Sequence, residues 1–200
     1  MAAAVGHIEV VTALLAAPSI DVNRATKDGW TAVMWAAEKG HIDVVRVLLA
    51  EKAVDVNRAS SSEGVTALVL AAKHGRTDVV AALLAAPGID INKADKYGGT
   101  AVGEAACEGH TDIVRSLLAA PGIDVNRATN NGEAALHWAA HNGHTEVVRA
   151  LLAPRPGKPT IHLNERVTGV WARGKTALGM AIDNDKPEIA ALLRAAGAEE

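Results

Sequence analysis

Gly40-His-Ile-Asp-Val-Val-Arg-Val-Leu-Leu49 decides how this chain folds, because it is repeated. Residues 6–15 read Gly-His-Ile-Glu-Val-Val-Thr-Ala-Leu-Leu, further copies start at Gly75, Gly109 and Gly143, and a degenerate copy starts at Asp185. The starts are 34, 35, 34, 34 and 42 residues apart. A fixed period of this length is the mark of a stacked array of small supersecondary units. Within the quoted copy, Val44, Val45, Leu48 and Leu49 form one apolar stripe of a helix. Asp43 falls in its first turn, where a negative charge suits the helix dipole. Thr77, Thr111 and Thr145 are expected as N-caps in three of the copies. The helix is expected to end near Pro87 or Pro121, since proline breaks the hydrogen-bond ladder.

The residues between the copies complete the unit. An extended Ile-Asp-Val-Asn segment is expected at 20–23 and 123–126, followed by a turn at Gly29, Gly64, Gly98 or Gly132. A second short helix begins at Thr31, Thr66 or Thr100 and carries an Ala-Ala pair, as at Ala36-Ala37 and Ala105-Ala106, that permits close packing. One such unit cannot bury its own apolar face, so stability requires stacked neighbours. Composition agrees: 49% of residues are apolar, aromatics are 2% and Phe is absent, which leaves a core of Ala, Val, Leu and Ile.

Thr-Ala-Leu/Val-x-x-Ala-Ala (31–37, with a variant at 134–140), Gly-His-x-Asp/Glu-Val-Val-x-x-Leu-Leu and Asp-Val-Asn recur over nearly all of residues 6–197. By these motifs the chain resembles the ankyrin-repeat family. The resemblance implies an all-α solenoid of helix-turn-helix units with hairpin-like fingers and inner helices lining a concave groove. One domain over 1–200 is expected, with a partial first unit 1–22, full units near 23–56, 57–91, 92–125 and 126–163, and an irregular last unit 164–200. The family's Thr-Pro-Leu-His tetrad keeps its histidine only at His137; Met34, Val69, Gly103 and Gly179 replace it elsewhere. The fingertip Asp is kept at Asp95 and replaced by Thr26, Ser60 and Thr129, whose hydroxyls can make similar local turn bonds. Residues 2–5 read as the tail of an inner helix whose start is missing, which fits a fragment or a frayed first unit. Asn23, Asn57, Asn92 and Asn126 fit the turn in which ankyrin repeats can be hydroxylated.

The resemblance implies a protein-interaction module that binds through fingertips and groove, without catalysis and without a cofactor. Partner-binding candidates are Lys27, Asp28, Trp30, Glu38 and Lys39; Glu63, Val65, Lys73 and His74; Lys96, Tyr97 and Glu108; and Asn130, Asn131, Glu133, His141 and Asn142. Trp30 and Tyr97 are the aromatic anchors among them. Trp35 and Trp138 are expected in the core instead. Eight extra residues between Leu152 and Thr176 make 154–159 a stiff proline-rich loop and 165–175 a long fingertip carrying Trp171 and Arg173. Insertions of this kind often map to a binding face. A structural spacer array is the alternative role.

Other chemistries are weaker. Gly169-Val-Trp-Ala-Arg-Gly-Lys-Thr176 matches the nucleotide-binding G-x-x-x-x-G-K-[ST] pattern, but no apolar strand precedes it and Thr176 is the repeat's own helix-start threonine. His137, His141 and His144 share zinc-like spacing, yet two of them belong to the repeat, so no metal is expected. Arg24, Arg58, Lys93 and Arg127 form a row beside Asp21, Asp55, Asp90 and Asp124, and the two rows are expected to neutralise each other. The net charge of −3 lacks the basic stripe of a nucleic-acid binder. A single cysteine, Cys107, suits a reducing compartment. No apolar run nears the ~20 residues of a membrane span, and residues 1–6 lack a signal peptide's pattern. The expectation is a monomeric protein of the cytoplasm or nucleus, with a protein partner and neither nucleic acid nor membrane.

Overall fold

The computed structural model describes residues 2–154 and 160–200. It contains helices and turns, with no strand among the described residues. The helices are α1 (Ala2–Val5), α2 (Ile8–Leu15), α3 (Ala32–Lys39), α4 (Ile42–Ala50), α5 (Ala67–Lys73), α6 (Thr77–Leu84), α7 (Ala101–Cys107), α8 (Thr111–Ala119), α9 (Ala135–Asn142), α10 (Thr145–Leu152), α11 (Ala177–Asp183) and α12 (Pro187–Ala195). A 3₁₀ turn spans Val170–Ala172. Odd-numbered helices pack on one another in sequence order, and so do the even-numbered ones, giving an inner and an outer layer.

Helices of seven to nine residues are too short to persist alone in water, so packing must hold them. The alanine pairs of α3, α5, α7 and α9 are fully buried, as are Leu83, Ile113, Leu117 and Leu193 on the outer layer. Small side chains let the inner layer close, and the larger ones fill the space behind it.

Local chemistry starts each inner helix. Thr31, Thr66, Thr100 and Thr176 accept the N–H of Met34, Val69, Gly103 and Gly179 at 3.4, 3.3, 3.2 and 3.2 Å. Helix α9 has Ala134 at its N-cap instead, which offers no side-chain acceptor. Ala134→Thr is therefore expected to stabilise the protein by about 1 kcal/mol. Urea denaturation followed by circular dichroism would show it as a higher midpoint at unchanged slope; an unchanged midpoint would mean that cap is not worth making there.

The outer helices differ from expectation. Thr77, Thr111 and Thr145 are their first helical residues; Arg76, His110 and His144 occupy the cap positions and make no capping bond. Those side chains reach across the joint instead. His41, His110 and His144 meet the carbonyls of Ala4, Lys73 and Cys107 at 3.2, 3.1 and 2.9 Å, and Arg76 donates to Glu38 O at 3.0 Å.

The Ile-Asp-Val-Asn segment is a tight turn, not an extended stretch. Arg24 N donates to Asp21 O, and Asn23 N to the Asp21 carboxylate at 3.0 Å. Each asparagine then clamps the next unit. Asn92 Nδ2 donates to Gly122 O and its Oδ1 accepts Asp124 N, both at 2.8 Å; Asn23, Asn57 and Asn126 do the same at their joints. The aspartates thus serve the backbone, and among the described residues no ion pair joins the two charged rows.

The fingers are closed as expected by Thr26, Ser60, Asp95 and Thr129, which accept turn N–H groups. They are also linked tip to tip: Ser61 N to Asp28 O, Lys96 N to Glu63 O, Asn130 N to Tyr97 O and Thr168 N to Asn131 O, at 2.7–3.0 Å. The first and last joints carry a second such bond, from Ser62 N to Asp28 O and from Gly169 N to Asn131 O, and together these bonds align the fingers beside the inner helices.

Candidate functional site

The fingers and the inner helices enclose a groove of about 530 Å³. It runs from Trp30, past Val69 and Leu70 of α5 and Gly103 and Glu104 of α7, to Trp138 of α9 and Trp171 of the last finger. Gly103 gives it depth: it lies in a helix with ordinary backbone angles, and only the Thr100 hydroxyl stands near where its Cβ would be. A side chain there would take up space that lines the groove; the equivalent positions of other units hold the buried Met34, Val69 and His137.

The far end is closed by the insertion. The 3₁₀ turn brings Trp171 back over the inner layer, where its ring stacks on Trp138 at 5.7 Å and meets His141 edge-on at 5.0 Å. Trp171 Nε1 donates to Glu133 Oε1 at 2.8 Å, and the Thr129 hydroxyl donates to Oε2. Glu133 is buried by these contacts, so it braces the wall and does not form a contact surface as expected. Val65 is likewise buried. The proline-rich segment 155–159 lies outside the described residues.

The groove gathers Trp30, Glu38, Glu63, Lys73, His74, Tyr97 and Asn131 of the expected set, along with Val65, Glu133 and Trp171. It leaves Lys27, Asp28, Lys39, Glu108, His141 and Arg173 off its lining. Lys96 and Asn130 are staples between fingers: Lys96 Nζ donates to Ser62 O at 2.8 Å and Asn130 Nδ2 to Lys96 O at 2.9 Å. Asn142 spans a joint to Cys107 O at 2.8 Å. Trp35 and Trp138, expected in the core, are only half buried. Their size prevents them from fitting between alanine-packed inner helices, so Trp35 leans on Trp30, 4.5 Å between centroids, and Trp138 lines the groove. The sequence reading missed Trp138 and Glu104 as lining; the signal was present, since each lies within an inner helix whose neighbours were already placed facing the groove.

Charge in the groove is unequal. Glu38, Glu63, Asp95, Glu104 and Glu133 line it against Lys73 and Arg127. Lys73 Nζ lies 3.4 Å from Glu104, and this carboxylate, helped by Glu108 and Glu63, raises the lysine's pKa and keeps it charged. Burial, reinforced by Glu108 and Glu104, pushes the Cys107 thiol up, which disfavours the reactive thiolate.

The other motifs are occupied with structure. Lys175 pairs with Asp183 at 2.9 Å, and Thr176 caps α11 and donates to Glu199 O, so the residues that would hold phosphates have other work. His144 meets Cys107 O, His141 meets Asn184, and His137 meets Glu165 O at 2.9 Å.

His137 also has a defined tautomer. Its Nδ1 accepts Ala134 N–H at 3.1 Å, so the proton sits on Nε2 and is donated to Glu165 O. Burial lowers its pKa. A depressed value means the unfolded state takes up the proton first, so the stability this group contributes is present above the usual imidazole value of about 6.5 and lost as pH falls through the folded-state value. His137→Gln is expected to flatten the fall in urea midpoint between about pH 7.5 and 5.5. Parallel curves for wild type and variant would show that His137 does not govern it.

A family model described as "Ankyrin repeats (3 copies)" matches residues 1–95, 59–128, 84–166 and 102–200. Among solved structures, the chain is similar to an ankyrin repeat domain from Acinetobacter baumannii, with 30% identity and a TM-score of 0.83 over 100% of this chain and 97% of that one. Comparison with curated proteins gives no match. Among the described residues, no helix is long and apolar enough to cross a membrane.

Proposed function

Because the chain belongs to the ankyrin-repeat family, we propose that it binds a protein partner in the groove between fingers and inner helices. Ankyrin repeats are generally protein–protein interaction modules, and the fold is typically non-catalytic. The observation that carries the reading is an open groove lined by Trp30, Tyr97 and Trp138 and ended by Trp171. Tyr97 is 67% exposed on its fingertip, a large apolar surface that gains by being covered. Such aromatic anchors in a concavity suit a segment of another chain.

Gly103→Leu tests this with the fold intact. Replacing a helical glycine favours the helix by about 1 kcal/mol, while the new side chain fills the groove. Affinity capture from source-cell lysate would use wild type, Gly103→Leu and Trp30→Ala/Tyr97→Ala, each checked by thermal melting. A protein recovered by the wild type and lost from both variants is the expected outcome. Equal recovery by all three would end the groove assignment and favour a spacer array.

A further inference from the structure

The groove reading leaves the occupant's chemistry open, and the lining narrows it. We infer that the groove takes an extended segment of a partner protein that presents a cationic side chain, arginine or lysine, to the carboxylates beside Tyr97 and Trp138. The inference rests on the groove reading and deepens it.

Three observations carry it. First, five carboxylates line the groove against two fixed cations, Lys73 and Arg127, and four of the five remain once Glu133, held by Trp171 and Thr129, is set aside. Low-dielectric walls focus such a field and raise the local concentration of cations. A phosphate backbone would be repelled by the same field. Second, the carboxylates are not all satisfied from within. Glu63 is exposed and has no ion-pair partner among the described residues. Glu38, by contrast, is already paired, with Lys39 Nζ 3.1 Å from its Oε2 and His74 Nε2 3.8 Å from its Oε1, so Glu63 is the carboxylate left for a guest. Lys73, the cation already in place, is held charged by its surroundings, as a guest cation would be. Third, aromatic rings line the same space as the carboxylates, which is the pairing that holds ammonium and guanidinium groups by cation–π attraction. An apolar segment would leave the carboxylates desolvated without a partner.

The test is selection of a random peptide phage library on the wild-type chain, then fluorescence anisotropy with the enriched peptide labelled. The expected result is a fixed arginine or lysine in the enriched sequences. Replacing it with alanine should weaken binding about tenfold or more, as should the isosteric protein variant Glu63→Gln/Glu104→Gln. Binding should also weaken steadily as salt rises from about 0.05 to 0.5 M. Enriched peptides without a fixed cation, or with equal affinity for the double variant and no salt dependence, would overturn the inference; an empty selection would do the same. Gly103→Leu separates the two levels. If it abolishes binding of a peptide with no fixed cation, the groove reading stands and only the occupant's chemistry is wrong. If binding survives it, the groove reading itself falls.

Discussion

Gly98→Ala is expected to destabilise the protein by about 2–5 kcal/mol. Gly98 has φ +84°, in the left-handed region that costs an L-residue about 1–2 kcal/mol. Space adds to the cost. A Cβ there would lie 2.8 Å from Thr129 Cα and 2.9 Å from Asn130 N, which is backbone of the next finger and cannot swing aside. At the same joint Asn130 N donates to Tyr97 O, so relief of the clash would also loosen the link between fingers. Gly122→Ala is the control, because Gly122 has φ +77° with nothing within 4 Å of its Cβ position. It should lose only the conformational part, about 1–2 kcal/mol. Urea denaturation of both variants decides the matter; equal losses would mean that the finger contact carries no stability.

Leu117→Ala is expected to cost about 2–5 kcal/mol, whereas the same change at the equivalent Leu14 should cost about 1 kcal/mol. Both leucines occupy the same place in the repeated stretch. Leu117 is completely buried between α6 and α10, and deleting its branch would leave a cavity in a packed layer. Leu14 is 49% exposed, and Val10 beside it is 48% exposed, because α2 has an outer-layer neighbour on one side only. Denaturation midpoints of the two variants measured together would reveal the difference. Similar losses would show that α2 unfolds on its own before the array does, or that both sites relax alike.

These pairs separate two kinds of information. The 34-residue recurrence is enough to specify helix-turn-helix units in a stack, and the inner-helix threonines and the turn hydroxyls each mark a local event. Those readings rest on interactions within a few residues, so a single copy of the motif contains them. The aspartates and asparagines of the turns were legible as rows but not as clamps, because each asparagine's partners lie 30–36 residues further on.

What the sequence determined by itself is the unit, its period and its helical layers. What only the tertiary structure decided is the exposure of equivalent residues and the shape of the groove. Leu14 and Leu117 read alike until their neighbours are in place. Trp138 reads as core until the inner helices close too tightly to hold an indole. Trp171 reads as a loose fingertip residue until its ring is found on Trp138 and its N–H on Glu133. Periodicity records the relation of each unit to itself. Burial, and hence the site, depends on which surfaces meet across joints, and those surfaces differ wherever a repeat has an insertion, an end or a glycine such as Gly103 in place of a side chain.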